Sequence, residues 1–423
     1  MPGRYPRLAV MGCIVFCSAR VDAQSPQIQS MVARVDAHRI AADVAALAAL
    51  GTRMATLGEF QAATDLVRQR LEQTGLQVHL DPFPLGEGPD VPVVENVVAL
   101  VPGSLPRPPI MVTAHYDSIS FADPRAAPGA EDNASGTAAV LELARVLAGE
   151  QLATPVQLVA LAAEEEGLWG SRHMAQSLTG KTRAVINLDM VGYHPAGTAP
   201  QVVLDGSSRA RSLIGRMAWT CERYVPQLAA AGSVFSAARS DHRSFDEVGI
   251  VALTVASLWT ESYPYYHSAD DLPSRVDSAM VADVTRMVAA HVVLMAGLAQ
   301  GPPVASGDPF VVACGGERVT LGAADSFDPG GQPLTFRFQP LPPASGPTVV
   351  QDTLTLTADE SGMQRYLLVA RASDGRESEP ELMAVVVEDG GCSFTGRPPA
   401  GTGWLVLLLL VFVRRPRRAA AAR

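Results

Sequence analysis

The chain has almost no lysine, few cysteines and an excess of negative charge. Lys181 is the single lysine among 423 residues, so a mechanism based on a lysine Schiff base has one candidate, in an ordinary polar turn. The formal net charge of −10 at pH 7 argues against a nucleic-acid partner, because phosphate binding needs a basic face. A hydrophobic content of 48% is ample for a buried core, so disorder is excluded for most of the chain.

Residues 1–23 are typical of a secretory signal peptide. Arg4 and Arg7 precede a mostly apolar stretch, and Val21-Asp22-Ala23 offers a cleavage site before Gln24. We therefore expect an exported protein, either secreted or held at the cell surface or outer envelope. Cleavage after Ala23 would leave only three cysteines, so disulfides are at most an accessory; the three are Cys221, Cys314 and Cys392.

Residues 24–300 are predicted to form one α/β domain. Apolar runs rich in valine, leucine and alanine alternate with helical patterns, which indicates a mixed, mostly parallel sheet covered by helices on both faces. The predicted strands are 76–80, 96–101, 110–114, 156–163, 184–188 and 202–204. The main predicted helices that follow the second strand are 135–148, 171–178 and 278–298.

The C-terminal part has a different character. Residues 301–309 are a linker by composition, and residues 310–390 are predicted to form a small immunoglobulin-like β-sandwich of short strands separated by turns. In residues 391–423, an apolar segment at 404–413 is shorter than the roughly 20 residues that span a bilayer, but clustered arginines follow it, as in a stop signal. We therefore expect surface or membrane association through this tail; a C-terminal core helix fits the flanking glycines and arginines poorly.

Polar residues that could do chemistry occur at five places next to the apolar runs. In parallel α/β sheets, ligands bind outside the carboxyl ends of the strands, so these side chains are expected to meet. In chain order they are His115 with Asp117, Glu131-Asp132-Asn133, Glu164 with Glu165, Asp189, and His267.

Two histidines with several carboxylates suit zinc, and the richness in carboxylates favours two ions, because one aspartate can bridge metals roughly 3.5 to 4 Å apart. Such a pair activates water for hydrolysis. Taken singly, each residue has a simpler interpretation: an aspartate at a helix start is usually a cap, and an acidic triplet is usually a solvated loop. The joint pattern carries the prediction.

Six motifs resemble those of metallopeptidase family 28, the zinc aminopeptidases with two co-catalytic metals. The resemblance runs from about Ala45 to Leu298. The motifs are His115-x-Asp117, Gly129-Ala130-Glu131-Asp132-Asn133-Ala134-Ser135-Gly136, Glu164-Glu165-x-Gly167-Leu168-x-Gly170-Ser171, Asn187-Leu188-Asp189-Met190, Ser240-Asp241-His242 and Tyr266-His267-Ser268.

The resemblance implies a ligand set for two zinc ions in the catalytic domain. Asp132 would bridge the metals, His115 and Asp189 would complete one site, and Glu165 and His267 would complete the other. One departure is Glu131, which stands where the family usually has aspartate and leaves the ligand itself intact.

The resemblance also implies catalytic roles. Glu164 would be the general base that takes a proton from water and passes it to the leaving amine, and Asp117 would orient His115. The order of Glu164 and Glu165 depends on a bend after Ala163, because strand alternation alone sends neighbours to opposite faces. Glu166 is expected to face solvent. Two further groups have uncertain roles: Asp241 with His242, which either shape the substrate side or pack, and Tyr265 or Tyr266, which either stabilises an oxyanion or forms a wall.

The resemblance thus implies an exported exopeptidase, an aminopeptidase acting on peptides. Alternatives are a carboxypeptidase or one-metal cyclase of related fold, or a catalytically inactive surface binding protein. The sandwich, around Val319-Thr320-Leu321, resembles the polycystic-kidney-disease type of repeat, which implies adhesion or spacing; a structural cap is the alternative. Cys392, the apolar segment and the arginines resemble a myxobacterial type of sorting tail, and Cys392 could instead pair with Cys314.

Overall fold

The computed structural model describes residues 24–178, 181–234, 239–307, 310–314, 316–341, 348–358 and 363–388. The expected signal peptide, the C-terminal tail and Cys392 lie outside these residues. In chain order the helices are α1 (Pro26–Val32), α2 (Ala37–Ala48), α3 (Phe60–Glu72), α4 (Gly136–Leu147), α5 (Trp169–Leu178), α6 (Arg211–Tyr224), α7 (His242–Glu247) and α8 (Ser278–Ala296).

The strands up to α8 are β1 (Gln77–Pro84), β2 (Val93–Val101), β3 (Ile110–His115), β4 (Val156–Leu161), β5 (Ala184–Leu188), β6 (Gln201–Gly206), β7 (Ala229–Ser233) and β8 (Ala252–Ser257). Those after α8 are β9 (Phe310–Cys314), β10 (Arg318–Gly322), β11 (Leu334–Leu341), β12 (Val349–Val350), β13 (Thr353–Thr357), β14 (Met363–Ala372) and β15 (Glu381–Glu388).

An eight-stranded sheet forms the centre of the first part of the fold. Its strand order is β1-β2-β4-β3-β5-β8-β6-β7. The four middle strands, β4, β3, β5 and β8, run parallel, and so do β6 and β7; the remaining neighbours are antiparallel. The expectation of a mixed, mostly parallel sheet is therefore confirmed.

Alternate residues along the strands pack against helices on opposite faces of this sheet. In β3, Ile110 and Val112 belong to the large core shared with α2, α4 and α8, whereas Met111 packs with residues of α5 and α7 on the other face. All six residues of β3 are buried. Burial on both faces explains why the middle strands are nearly continuous apolar runs.

Helix α8 (Ser278–Ala296) crosses the main core. Among the described residues it is the one helix long and apolar enough to span a bilayer, but 78% of its most apolar window is buried in the fold. Asp277 caps its N-terminus by accepting hydrogen bonds from the N–H groups of Ala279 and Met280. Helix α8 is therefore a buried core helix of the α/β part.

His291 on α8 makes stability dependent on pH. It is buried, with Nδ1 3.1 Å from Thr220 Oγ1, and burial lowers its pKa from 6.5 to about 3. The unfolded chain therefore binds one more proton than the folded chain between these values, so stability falls as pH drops below about 6.5. We expect His291→Gln to reduce the slope of unfolding free energy against pH, near pH 5, by about 1.4 kcal/mol per pH unit. Urea unfolding at several pH values measures this slope. The exposed His38 provides the control His38→Gln, and an unchanged slope for His291→Gln would contradict the assignment.

The C-terminal part is a small β-sandwich, as expected. A two-stranded sheet (β10-β13) and a five-stranded sheet (β12-β11-β14-β15-β9) share one apolar core around Leu321, Phe338 and Leu368. The six strands that the sequence predicts for this part, at 311–313, 318–321, 334–338, 353–357, 366–372 and 382–387, are all present, and only the two-residue β12 was not predicted.

The sandwich packs directly against α6. Trp219 contacts a cluster formed by Leu367, Leu382 and Ala384 of the sandwich. Ion pairs cross the same junction: Arg216 lies 3.2 Å from Glu381, and Arg223 lies 2.7 Å from Glu379. On the inner side of α6, Cys221 is a free buried thiol, and burial raises its pKa to about 12.

Candidate metal centre

His115 stands at the carboxyl end of the central strand β3, where the sequence places it. The residue is buried, and its backbone carbonyl accepts a hydrogen bond from the Thr137 hydroxyl at 2.7 Å. Its Nδ1 lies 3.4 Å from Asp117 Oδ1, while Nε2 lies 3.4 Å from Asp132 Oδ1 and 3.5 Å from Asp189 Oδ1. One ring nitrogen thus faces a buried carboxylate, and the other faces two more.

Asp132 lies between the two histidines. It belongs to an irregular turn, Ala130–Ser135, that leads into α4, and its peptide bond to Asn133 is cis. Its Oδ1 faces His115, and its Oδ2 lies 3.0 Å from His267 Nε2. Each carboxylate oxygen therefore serves a different histidine, which is the arrangement that a bridging ligand requires.

Glu165 and His267 form the other side of the cluster. His267 Nε2 is 3.0 Å from Glu165 Oε2, and the Glu165 N–H donates to Asp117 Oδ2 at 3.0 Å. Ala163 has a φ of +58°, so the chain turns sharply as it leaves β4. The bend anticipated after Ala163 is present. Because of it, Glu164 and Glu165 both reach the cluster, Glu164 beside His115.

Asp189 follows β5 and completes the His115 side. Its N–H donates to the Val255 carbonyl of β8 at 3.0 Å, which ties the end of β5 to the neighbouring strand. His267, by contrast, lies well past the end of β8, in a loop, and has a φ of +49°. Three of the five predicted places therefore follow strands of the central sheet, the Asp132 turn precedes α4, and His267 is brought in by a loop.

The possible metal-ligand atoms lie close together, but several of them form no hydrogen bonds. Glu165 Oε1, Asp189 Oδ1 and both ring nitrogens of His267 are buried and have no hydrogen-bond partner among the described residues, although carboxylates lie close by. Three groups offer atoms within 4.8 Å of one another, namely His115 with Glu164 and Glu165, His115 with Asp132 and Asp189, and Asp132 with Glu165 and His267. Mixed nitrogen and carboxylate donors that point at common centres fit metal ions.

The pKa values of the clustered side chains also indicate that this site favours bound cations. Burial raises the pKa of Glu164 well above its ordinary value, with His115 opposing and Asp241 adding to the shift. Burial, reinforced by Asp132, raises the pKa of Glu165 to about 7. His267 is the opposite case: burial favours its neutral form, yet contacts with Asp132 and Glu165 raise its pKa to about 9. The carboxylates thus attract positive charge to this place.

Glu166 does not face solvent, so that expectation is wrong. Its Oε1 accepts a hydrogen bond from the Ala55 N–H at 3.2 Å. Burial, together with repulsion from Asp117, raises its pKa to about 8. Because the bend at Ala163 begins a compact turn, the third residue of the acidic triplet returns toward the chain that precedes α3.

Two residues that support the cluster were missed in the sequence. Asp271 accepts hydrogen bonds from the N–H groups of Glu131 at 2.9 Å and Asp132 at 3.0 Å, and it receives the Tyr263 hydroxyl at 2.6 Å. Arg53 is completely buried and donates to the carbonyls of Tyr116 and Gly129 at 2.7 and 2.9 Å. Burial lowers the Arg53 pKa to about 10, while Asp271 and Asp117 favour its charged form. No motif spacing marks either residue.

Asp241 and His242 are both completely buried, and the Asp241 carboxylate contributes to the raised pKa of Glu164. Burial raises the pKa of Asp241 to about 7 and lowers that of His242 to about 4. The two tyrosines differ. Tyr266 stacks on the His267 ring with centroids 3.7 Å apart, whereas the guanidinium of Arg275 lies over the Tyr265 ring, 4.1 Å from its centroid.

Comparisons with known proteins agree with this architecture. Residues 96–292 match the family described as "Peptidase family M28". The chain is 32% identical to aminopeptidase YwaD of Bacillus subtilis over 213 residues, which cover 47% of this chain and 44% of that protein. It is 34% identical to a probable zinc metalloprotease of Pyrenophora teres f. teres over 191 residues, 39% of each chain.

The solved structure of the LapA aminopeptidase of Legionella pneumophila superposes with a TM-score of 0.56 at 21% identity, covering 66% of this chain and 78% of that one. This likeness shows the fold. The match to the two relatives named above spans less than half of their length. The part of the chain that matches peptidase family M28, residues 96–292, holds every residue of the candidate metal centre.

Proposed function

We propose that the protein is a zinc-dependent aminopeptidase that removes N-terminal residues from peptides. The observation that carries the proposal is Asp132, whose two oxygens face His115 and His267 with Asp189 and Glu165 alongside. The names of the relatives, an aminopeptidase and a probable zinc metalloprotease, support the same activity and metal.

The negative charge of the clustered carboxylates favours binding of two zinc ions per domain. The cluster contains five carboxylates, and three of them, Asp117, Asp132 and Glu165, favour the charged form of the buried Arg53. Asp132 would bridge the ions, His115 and Asp189 would complete one site, and Glu165 and His267 would complete the other. Two dications would offset the carboxylates far better than protons on the histidines, because buried charge must be paired.

The residues around the metals divide the chemistry of hydrolysis. Bound zinc polarises the scissile carbonyl and lowers the pKa of water. Glu164 takes a proton from the attacking water and delivers it to the leaving amine, a role that a carboxylate with a raised pKa can perform near neutral pH. Asp117 fixes the ring of His115 through Nδ1, and its other oxygen holds the Glu165 backbone. Tyr266, whose ring stacks on His267, would be the residue that stabilises the oxyanion.

A substrate panel with metal analysis tests this function. We expect the purified protein to hydrolyse aminoacyl-p-nitroanilides and dipeptide amides with free N-termini but not their acetylated forms. Chelation should abolish the activity, and zinc should restore it. Release of C-terminal residues would indicate a carboxypeptidase, and cyclised product with one zinc would indicate a cyclase. Zinc-free protein without turnover would indicate a binding protein.

Export and surface attachment are part of the proposal. Residues 1–23 would direct export, the α/β part would extend over residues 24–300 and the sandwich over residues 310–390, and residues 391–423 would retain the protein at the cell surface. The sequence pattern alone supports these assignments. N-terminal sequencing of the exported protein should start at Gln24, and a start within residues 1–23 would contradict the cleavage site.

A further inference from the structure

Apolar side chains are exposed beside the charged metal centre. Large hydrophobic residues with substantial exposure are few among the described residues, and two of them, Phe121 and Tyr266, pack directly on His267. A third, Leu272, directly follows Asp271, which holds the Asp132 turn. An apolar surface that borders a catalytic cluster is where a substrate side chain gains contact area.

Phe121 is the most exposed of these residues, with 76% of its surface accessible. Its ring meets the His267 ring edge-on, with centroids 4.7 Å apart, and its N–H donates to the His267 carbonyl at 3.0 Å. Tyr266 stacks on the same imidazole at 3.7 Å. Two aromatic rings therefore flank one predicted zinc ligand, and the outer ring has a face open to solvent.

The loop that carries Phe121 is fixed at several points. The Ser118 hydroxyl donates to the Ala127 carbonyl at 2.7 Å, and the Thr52 hydroxyl donates to the Pro124 carbonyl at 2.7 Å. The Ala127 N–H donates to the Gly51 carbonyl at 2.8 Å. Because the loop is tied down on both sides of the ring, little ordering is needed when Phe121 receives a partner, and contacts with it contribute fully to binding.

We propose that Phe121 is a specificity-determining residue that packs against an apolar or aromatic side chain on the leaving-amine side of the scissile bond. The inference rests on the proposed aminopeptidase function. In such a reaction the N-terminal residue is held at the metal centre, and the rest of the peptide extends toward solvent. Phe121 packs on His267 and has 76% of its surface exposed, so its ring lies on the side from which the rest of the peptide leaves and meets the residue after the cleaved bond.

The test compares Leu-Phe-amide, Leu-Gly-amide and Phe-Gly-amide as substrates of the full chain loaded with zinc. We expect Phe121→Ala to lower kcat/KM for Leu-Phe-amide about 10-fold, through KM, as loss of part of an aromatic contact predicts. Turnover of Leu-Gly-amide and Phe-Gly-amide should change less than about 3-fold. Phe121→Tyr should restore the preference. Val350→Ala, at a similarly exposed apolar residue of the sandwich, is the matched control and should change nothing.

Equal losses on all three substrates would overturn the proposal, because they would indicate that Phe121 merely supports His267. A loss confined to Phe-Gly-amide would also overturn it, by placing the ring on the N-terminal side. Binding separates this proposal from the proposed function. In the Glu164→Gln background, calorimetry should show about 10-fold weaker binding of Leu-Phe-amide when Phe121 is replaced by alanine. Equal or absent binding there would refute the role of Phe121 even if no substrate were turned over.

Discussion

Glu164→Gln should lower kcat for aminoacyl-amide hydrolysis by at least about 10²-fold while the protein keeps its zinc. Glutamine has the shape of glutamate but cannot accept the proton of the attacking water. Glu164 lies beside His115 and Glu165, and it belongs to neither of the two donor groups that contain Asp132. The substitution should therefore remove the base without removing a metal ligand. Steady-state kinetics and metal quantification on the same sample measure the two effects.

Glu166→Gln is the matched control for this substitution. Glu166 is the next but one residue in the same triplet, and its contact is structural, since Oε1 accepts the Ala55 N–H. Glutamine keeps an acceptor oxygen there, so we expect kcat within a few-fold of the unmodified protein. Near-normal turnover of Glu164→Gln would remove Glu164 from its role. Loss of zinc from Glu164→Gln, with zinc retained by Glu165→Gln, would exchange the two roles and leave the reaction class unchanged.

The acidic triplet also shows how far sequence reasoning reaches. Residues 156–163 predict a buried strand, and the strand ends at Leu161. The sequence shows that three acidic residues follow this strand. It does not say that Ala163 adopts a positive φ, a conformation that alanine rarely takes and that tertiary contacts impose. The direction of Glu166 depends on that turn, which is why the expectation of a solvated side chain was wrong.

Strands of the central sheet could be predicted from the sequence where clear helix or turn signals flank them in the chain. Strands β7 and β8 were not predicted, although β8, which lies between β5 and β6, is fully buried. Short apolar runs of this kind can be strand or buried helix, and periodicity alone does not distinguish them. The predicted ligands could still be found, because each belongs to a local motif.

The residues that support the ligands could not be found in this way. Arg53 and Asp271 act through contacts between distant segments: Arg53 binds the carbonyls that follow β3, and Asp271 binds the backbone of the Asp132 turn. An isolated arginine after a glycine, or an aspartate in a polar loop, looks like a surface residue in the sequence. Their roles appear only when the fold brings the segments together, because burial of a charge is a tertiary property.

Zinc stoichiometry should distinguish the bridging carboxylate from the others. We expect two zinc ions in the unmodified protein, about one in Asp189→Ala, and less than one in Asp132→Ala. Asp189 faces only His115, at 3.5 Å, so its loss should weaken one site. Asp132 faces His115 at 3.4 Å and His267 at 3.0 Å, so its loss should weaken both. Metal analysis after dialysis measures the content.

The neighbouring Asp270 gives the control for this series, since it is exposed and Asp270→Ala should keep both ions. A folded Asp132→Ala protein that retains one tightly bound zinc would contradict bridging, because a carboxylate shared by two sites cannot be lost from only one. One zinc in the unmodified protein would instead favour a one-metal enzyme of related fold. In that case a single dication would offset less of the charge of the five carboxylates.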